Sequence, residues 1–447
     1  MRNKSTPKAI LIIPIIFLAV FIYAQFQNHP KNNSAHYSKS EKISKIFVDE
    51  NLKNFICPHL EKYFKDQNKK YQITNQDSAE IIISSKNESD DTAEKIGKIF
   101  QNSYQKISNT SWQAKSNLIY YSTSSKDKKL ATGFKNYLTG KLSKLEWNLN
   151  AVGDIMLARH VGKKMITSEN WNLPFLKTAD QLSSADITFA NLESPFAEAG
   201  QKIFEGMVFG ADPMAIAGLK TAGIDIVSLA NNHFGNQGKV GMKYTMNFLT
   251  QNGIKYTGAG NNFTQAHTAT IINIKGLKVA FLGYNGVNST PNFYAADSNS
   301  AGLASWNISQ LQRDLAATKK LKPNVIIVSL HAGVEYSYQP NSDQINFARK
   351  AIDSGADLVI GHHPHCIEPI ENYHGKFIFY SLGNFVFDQM WSEQTKEGLT
   401  IKLTFADNKV VKIELNPVYI IDYNQPHFVT GRETDKILAN ILPLSNF

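Results

Sequence analysis

The chain has 447 residues, 42% hydrophobic and 19% charged, with a formal net charge of +9. This composition excludes a disordered or collagen-like chain and leaves room for two domains. Two cysteines, Cys57 and Cys366, exclude a disulfide framework, and the basic excess lies in residues 1–150, with 23 Lys+Arg against 13 Asp+Glu there and 24 against 25 in the remainder.

Arg2, Lys4 and Lys8 precede an apolar, charge-free run from Ala9 to Ala24. A basic end before such a run reads as an uncleaved signal anchor or, second, a cleaved signal peptide, spanning residues 1–26. Either leaves the basic end in the cytoplasm. The rest of the protein is then extracytoplasmic and, on the signal-anchor reading, anchored to the cytoplasmic membrane. Residues 27–40, QNHPKNNSAHYSKS, are polar and aperiodic and read as a tether.

Residues 41–146 read as a small α/β module without a chemical cluster. Apolar positions recur at helical spacing from Glu41 to about Phe64, in the groups Ile43, Ile46, Phe47 and Leu52, Phe55, Ile56. AEIIISS and SNLIYYST read as strands, and DTAEKIGKIFQNSYQKI and LATGFKNYLTGKL as helices. The lysines here are scattered and accompany no recognition motif, so nucleic acid is not an expected partner. An anionic lipid or wall polymer suits the charge, as does a merely solvated surface.

From about residue 147 short apolar runs repeat, and most end in a polar cluster. They are WNLNAVGDIML, ADITFANLESP, GIDIVSLANNH, LKVAFLGYNG, NVIIVSLHAGVEY, ADLVIGHHPH and KFIFYSLGNFVF. Helical segments such as SQLQRDLAATKKL lie between many of them. This alternation predicts an α/β core of buried strands, with ligands gathering at the C-terminal strand ends. GLTIKLTFADNKVVKIELNPVYI, residues 398–420, alternates and turns at ADNK, which predicts a β-hairpin closing a sheet. The tail, 421–447, holds a short helix near Arg432 to Leu442.

The strand ends carry Asp154, then Asn191 and Glu193, then Asn231, Asn232 and His233, then His331 and Glu335, and finally His362, His363 and His365. Singly each has an ordinary reading: a turn former, a surface charge, a satisfied core histidine. Together they share one topological position. Carboxylate oxygen with imidazole nitrogen suits divalent transition metals, and a shared carboxylate bridges two ions about 4 Å apart. His363 and His365, two apart around Pro364, are expected in an extended loop that lets both reach one centre. His362 is left out of that shell.

VGDIMLAR (152–159), ANLESP (190–195), LANNH (229–233), SLHAGVEY (329–336), GHHPHCIEPIE (361–371) and YSLGNFVFDQ (380–389) resemble the CapA family of poly-gamma-glutamate capsule biosynthesis proteins. That family is similar to the calcineurin-like metallophosphoesterases. The resemblance covers 147–420. It implies a four-layer α/β/β/α metallophosphoesterase-like sandwich, here preceded by the small α/β module and the N-terminal membrane segment. It further implies metal ligands at Asp154, Glu193, Asn232, His331, His363 and His365, holding two divalent ions (Mn, Fe or Zn). His233 resembles the histidine that acts as a proton donor. Asn236 stands where an aspartate orients that histidine, and Glu335 lies near the site without an assigned role. The phosphoesterases place a histidine two positions after the first aspartate, where this chain has Met156, a poor ligand for hard ions.

The expected function is an envelope-associated metal-dependent hydrolase acting on an anionic polymer or phosphoester, within a capsule synthesis complex. A non-catalytic assembly or export factor is the alternative, favoured by Met156 and Asn236. A general phosphoesterase or nucleotidase comes third, because no separate nucleotide-binding domain follows the metal core.

Overall fold

The computed structural model describes residues 146–198, 206–406, 408–439 and 441, and before residue 146 the backbone of short strands. The chain divides into two compact units, the second comprising Glu146–Phe447 with two short pieces from upstream.

In the first unit six strands form one sheet, in the order Ile10–Pro14, Leu118–Ser122, Val20–Ala24, Ile81–Ser84, Ile43–Val48 and Lys70–Ile73. The strands expected in AEIIISS and SNLIYYST are there. The helical reading is corrected at two places, since Ile43–Val48 and Tyr104–Ser108 are strands. The group Ile43, Ile46, Phe47 is too short to separate the two periods, and β-branched and aromatic side chains favour the pleated form. The helix expected over 130–142 lies outside the described residues. Two strands fall within the apolar run near the N-terminus, and the rest of residues 1–26 lies outside the described residues. Among the described residues no helix is long and apolar enough to cross a membrane.

The second unit is built on two sheets. In one, Lys255–Thr257, Ile226–Ser228, Ile187–Leu192 and Glu146–Ile155 lie side by side and parallel. Glu397–Ala406 continues antiparallel beside Glu146–Ile155, and Lys409–Ile421 pairs antiparallel with it, forming the expected hairpin. Asn384–Val386 runs parallel along the end of Glu146–Ile155. In the other sheet Leu277–Asn285, Val325–His331, Leu358–His362 and Lys376–Phe379 are parallel, with Thr270–Ile274 and Ile370–Tyr373 as antiparallel edges.

Both faces of each sheet are covered, which is why the strands read as continuous apolar runs. On one face of the first sheet Val152, Ala190 and Val227 share a core with Met165, Leu219, Met242 and Leu249 from the flanking helices. On one face of the second, Ala280, Val328 and Val359 share a core with Leu311, Leu315, Phe347 and Ala351 of the helices Ile308–Lys320 and Ser342–Asp353. The remaining faces meet each other. Phe189 stacks on Phe281 with centroids 5.8 Å apart, and the Thr257 hydroxyl donates to the Phe281 carbonyl at 2.9 Å. The layer order is therefore helix, sheet, sheet, helix. The C-terminal ends of the parallel strands open on the same rim. The tail helix is Arg432–Ala439, with Ile437 and Leu438 buried.

Candidate metal centre

Asp154 sits at the end of the Glu146–Ile155 strand, in register with Asn191 on one neighbour and Asn384 on the other. Gly153 permits that second approach, because a Cβ there would lie 1.9 Å from the Gly383 carbonyl oxygen. Asp154 is fully buried. The Asn191 amide donates to its Oδ1 at 2.7 Å and the His363 backbone N–H to its Oδ2 at 3.3 Å. His362 Nδ1 lies 3.4 Å from Oδ1 and His365 Nδ1 3.5 Å from Oδ2. Burial alone would raise the carboxyl, but the His362 and His365 imidazoles facing it overcome that and hold Asp154 well below the usual carboxylate range.

Glu193 is positioned by its own backbone, whose N–H donates to the Ile155 carbonyl at 2.8 Å. Its side chain is fully buried, yet neither carboxylate oxygen has a hydrogen-bond partner. His233 Nε2 and His365 Nε2 each stand 3.8 Å from Oε1. Burial, reinforced by Asp154, pushes the Glu193 carboxyl well above its ordinary value. The two acids thus part company. The surroundings of Asp154 favour its ionised form, and the burial of Glu193 favours its neutral form.

His331 ends the Val325–His331 strand, opposite His362 in the register. Its Nε2 is 2.9 Å from Asn232 Oδ1 and its Nδ1 3.2 Å from Asn191 Nδ2. Burial, then the neighbouring His363, holds His331 well below its ordinary value, and burial brings His363 down to about 3. These shifts favour the neutral form that can ligate. His365 goes the other way. Burial favours its neutral form, but the Glu193 and Asp154 carboxyls facing it push it up to about 9. Its Nδ1 also contacts Asn384 Oδ1 at 2.9 Å.

The loop carrying these histidines is not extended, as the spacing had suggested. His363 has φ 102° and His365 φ 59°. Non-glycine residues in this region store on the order of 1–3 kcal/mol each and cluster at functional sites. The turn lets both rings close on one centre, with centroids 6.0 Å apart and His331 4.9 Å from His363.

His233 stacks on Phe209 at 3.9 Å, and its Nδ1 lies 2.9 Å from Asn236 Oδ1. That oxygen also accepts the Phe209 backbone N–H at 2.7 Å, and Asn236 Nδ2 donates to the Tyr294 hydroxyl at 3.3 Å. His233 Nδ1 therefore carries the hydrogen, and Nε2 turns its lone pair toward Glu193. Burial lowers His233 to about 4. Asn236 orients the ring as an aspartate would, without the negative charge.

Two groups of potential ligands have donor atoms within 4.8 Å of one another: Asp154, Glu193, His365, and Glu335, His363, His365. These groups hold Glu335 and four of the six residues expected as ligands, His331 joins them 4.9 Å from His363, Asn232 reaches them through His331, and His233 lies beside them. Met156 is fully buried in the apolar core, and its Sδ accepts the Ala158 N–H. His362, left out on spacing, lies against Asp154 with both ring nitrogens lacking a hydrogen-bond partner. Sequence reasoning assigned no role to Asn191 or Asn384, which tie Asp154 and His365 in place. It also passed over Arg159, whose guanidinium pairs with Asp388 and lies 4.9 Å over the Phe209 ring. The signal available was their presence in the quoted blocks ANLESP, YSLGNFVFDQ and VGDIMLAR.

A layered α/β protein with carboxyls, asparagines and imidazoles on one rim has the donor set of a divalent-metal site. The family model of the bacterial capsule synthesis protein PGA_cap matches residues 148–389, and the chain belongs to that family. The capsule biosynthesis protein CapA of Bacillus anthracis is 31% identical over 282 residues, 61% of this chain and 67% of that one. The PGA biosynthesis protein CapA of Bacillus subtilis strain 168 is 30% identical over 276 residues, 60% and 70% of the respective chains. Among solved structures, the calcineurin-like phosphoesterase YfkN of Bacillus subtilis superposes with a TM-score of 0.35 at 13% identity, covering 66% of this chain and 97% of that one. Scores this low carry no functional inference.

Proposed function

We propose that this chain is an envelope-associated, metal-dependent hydrolase that acts in the synthesis, export or processing of poly-gamma-glutamate or a related capsular polymer. The names of the two CapA relatives support the pathway. The hydrolytic half rests on one observation, the buried Glu193 carboxyl whose two oxygens have no hydrogen-bond partner among the described residues. A buried acid left without hydrogen bonds is expensive, and a bound cation removes the expense.

Asp154, Glu193, Asn232, His331, His363 and His365 would hold two divalent ions, Mn, Fe or Zn. Such ions, when bound, acidify water and polarise a carbonyl or phosphoryl oxygen. The chain supplies the rest. His233, neutral and fixed through Asn236, presents Nε2 to take a proton and return it to a leaving amine or alkoxide. Asn191 and Asn384 keep Asp154 and His365 aimed. The apolar run at residues 9–24 supports a tether in the cytoplasmic membrane with the metal unit outside it, near the polymer and a capsule synthesis complex.

The purified protein, supplied with Mn(II) or Zn(II), is tested on poly-gamma-glutamate and on a generic phosphodiester. The expected result is metal-dependent cleavage that falls at least about 100-fold in His233→Asn, the range of general acid–base catalysis. Full metal loading with turnover of neither substrate class would favour the second reading, a non-catalytic assembly or export factor. The missing charge at Asn236 is the observation on its side.

A further inference from the structure

Glu335 is the one carboxylate of the cluster that solvent reaches. It lies on the loop after the Val325–His331 strand, and that loop is strapped onto the two histidines around Pro364. The Tyr336 N–H donates to the Pro364 carbonyl at 2.8 Å, and the Ala332 N–H to the His362 carbonyl at 3.1 Å. Tyr336 adopts φ 64° and Gly333 φ 120°, so the chain turns sharply on either side of Glu335. The Tyr336 ring lies 6.1 Å from His365 and 6.0 Å from Trp391, and its hydroxyl receives the Gln389 amide at 3.4 Å. A loop held this way presents Glu335 at a fixed place and does not leave it as a wandering surface charge.

The place is beside His363 and His365, the donor atoms of all three lying within 4.8 Å of one another. Two ligands on one ion can stand no farther apart than two metal–donor bonds, about 4.0–4.4 Å. A few tenths of an ångström of closing therefore satisfies all three. His363 supplies an independent sign of a missing occupant. It is only 3% exposed, and its Nδ1 has no hydrogen-bond partner. An imidazole nitrogen that is buried, without a hydrogen-bond partner and next to a carboxylate is suited to a cation.

We propose that Glu335 is a ligand of the outer of two metal ions, acting with His363 on the solvent side, while Asp154 and Glu193 hold the inner ion. This rests on the metal reading of the site. His365 Nδ1 is engaged with Asn384 and Asp154, so Nε2 is its available donor. The outer ion is then the one that meets an incoming substrate, with Tyr336 and Trp391 forming the wall beside it.

Mn(II) binding to the full-length protein is measured by calorimetric titration and by the spin-resonance signal of bound Mn(II), in wild type, Glu335→Gln, Glu335→Asp and Tyr336→Phe. Wild type takes up two ions per chain. Glu335→Gln keeps the tighter ion and binds the second at least about 10-fold more weakly, the loss that even outer-sphere partners of a metal cause. Glu335→Asp recovers part of that loss, and Tyr336→Phe binds both ions. The metal-free melting temperature of Glu335→Gln stays at the wild-type value. Two ions bound as tightly by Glu335→Gln as by wild type overturn the assignment of Glu335 and leave the metal centre standing. Equal loss of both ions together with a lowered metal-free melting temperature also overturns it, by exposing a folding role. No Mn(II) bound by wild type overturns the centre and the assignment alike.

Discussion

Glu193 and Glu368 are both buried acids, and their surroundings separate a site from a structural oddity. Glu193 faces two imidazole nitrogens at 3.8 Å with neither oxygen bonded. Glu368 faces no such cluster. Its Oε2 accepts the Gln344 amide at 2.9 Å, and burial pushes its carboxyl up to about 8 against that hydrogen bond. The native state thus keeps a proton that the unfolded chain releases near the ordinary value of 4.5. Stability from this group is fully present below pH 4.5, declines as pH rises, and is lost once pH passes about 8. The unfolding free energy of wild type from urea titrations should fall across that window by a few kcal/mol relative to Glu368→Gln, which cannot titrate. Parallel profiles would contradict the burial of Glu368 as an acid. At this scale Asp154, Glu193, Asn232, His331, His363 and His365 were legible because each follows an apolar run, so topology alone brings them to one rim. His362, left out of the shell on spacing, lies 3.4 Å from Asp154 and belongs to neither group of potential ligands, while the backbone turns left-handed at His363. Asn384 and Asp388 were not assignable, since their partners His365 and Arg159 lie far along the chain.

The strands of the second unit were readable as elements because both faces of each sheet are covered, which makes the apolar runs continuous and their ends abrupt. The hairpin Glu397–Ala406 with Lys409–Ile421 was readable from alternation and its turn. The short strand Asn384–Val386 was not, because it is placed by a close backbone approach and not by a pattern. Gly153 makes that approach possible. Gly153→Ala would set a Cβ 1.9 Å from the Gly383 carbonyl oxygen, a backbone atom that cannot swing aside. The expected outcome is a lower melting temperature, equivalent to about 2 kcal/mol or more. Weaker Mn(II) binding should accompany it, because Asn384 moves with that strand and carries His365. An unchanged melting temperature would show that the strand is not held against Gly153. The helical reading of the first unit failed at Ile43–Val48 for the opposite reason, a window too short to distinguish the periods.

Across the whole molecule, charge and chemistry are divided. The basic excess belongs to residues 1–150, and the donor cluster lies wholly within the family-matched residues 148–389. A basic N-terminal region and a separate donor cluster are consistent with the proposed role at an envelope on a polyanion. The claim beneath this account is that strand-end donors from both sheets meet to hold divalent ions. Anomalous diffraction at the manganese edge, from crystals of the protein grown with Mn(II), tests that directly. The expected result is two strong peaks about 4 Å apart, enclosed by Asp154, Glu193, Asn232, His331, His363 and His365. Fully ordered side chains there with no peak among them, or Mn(II) bound only elsewhere on the surface, would contradict it.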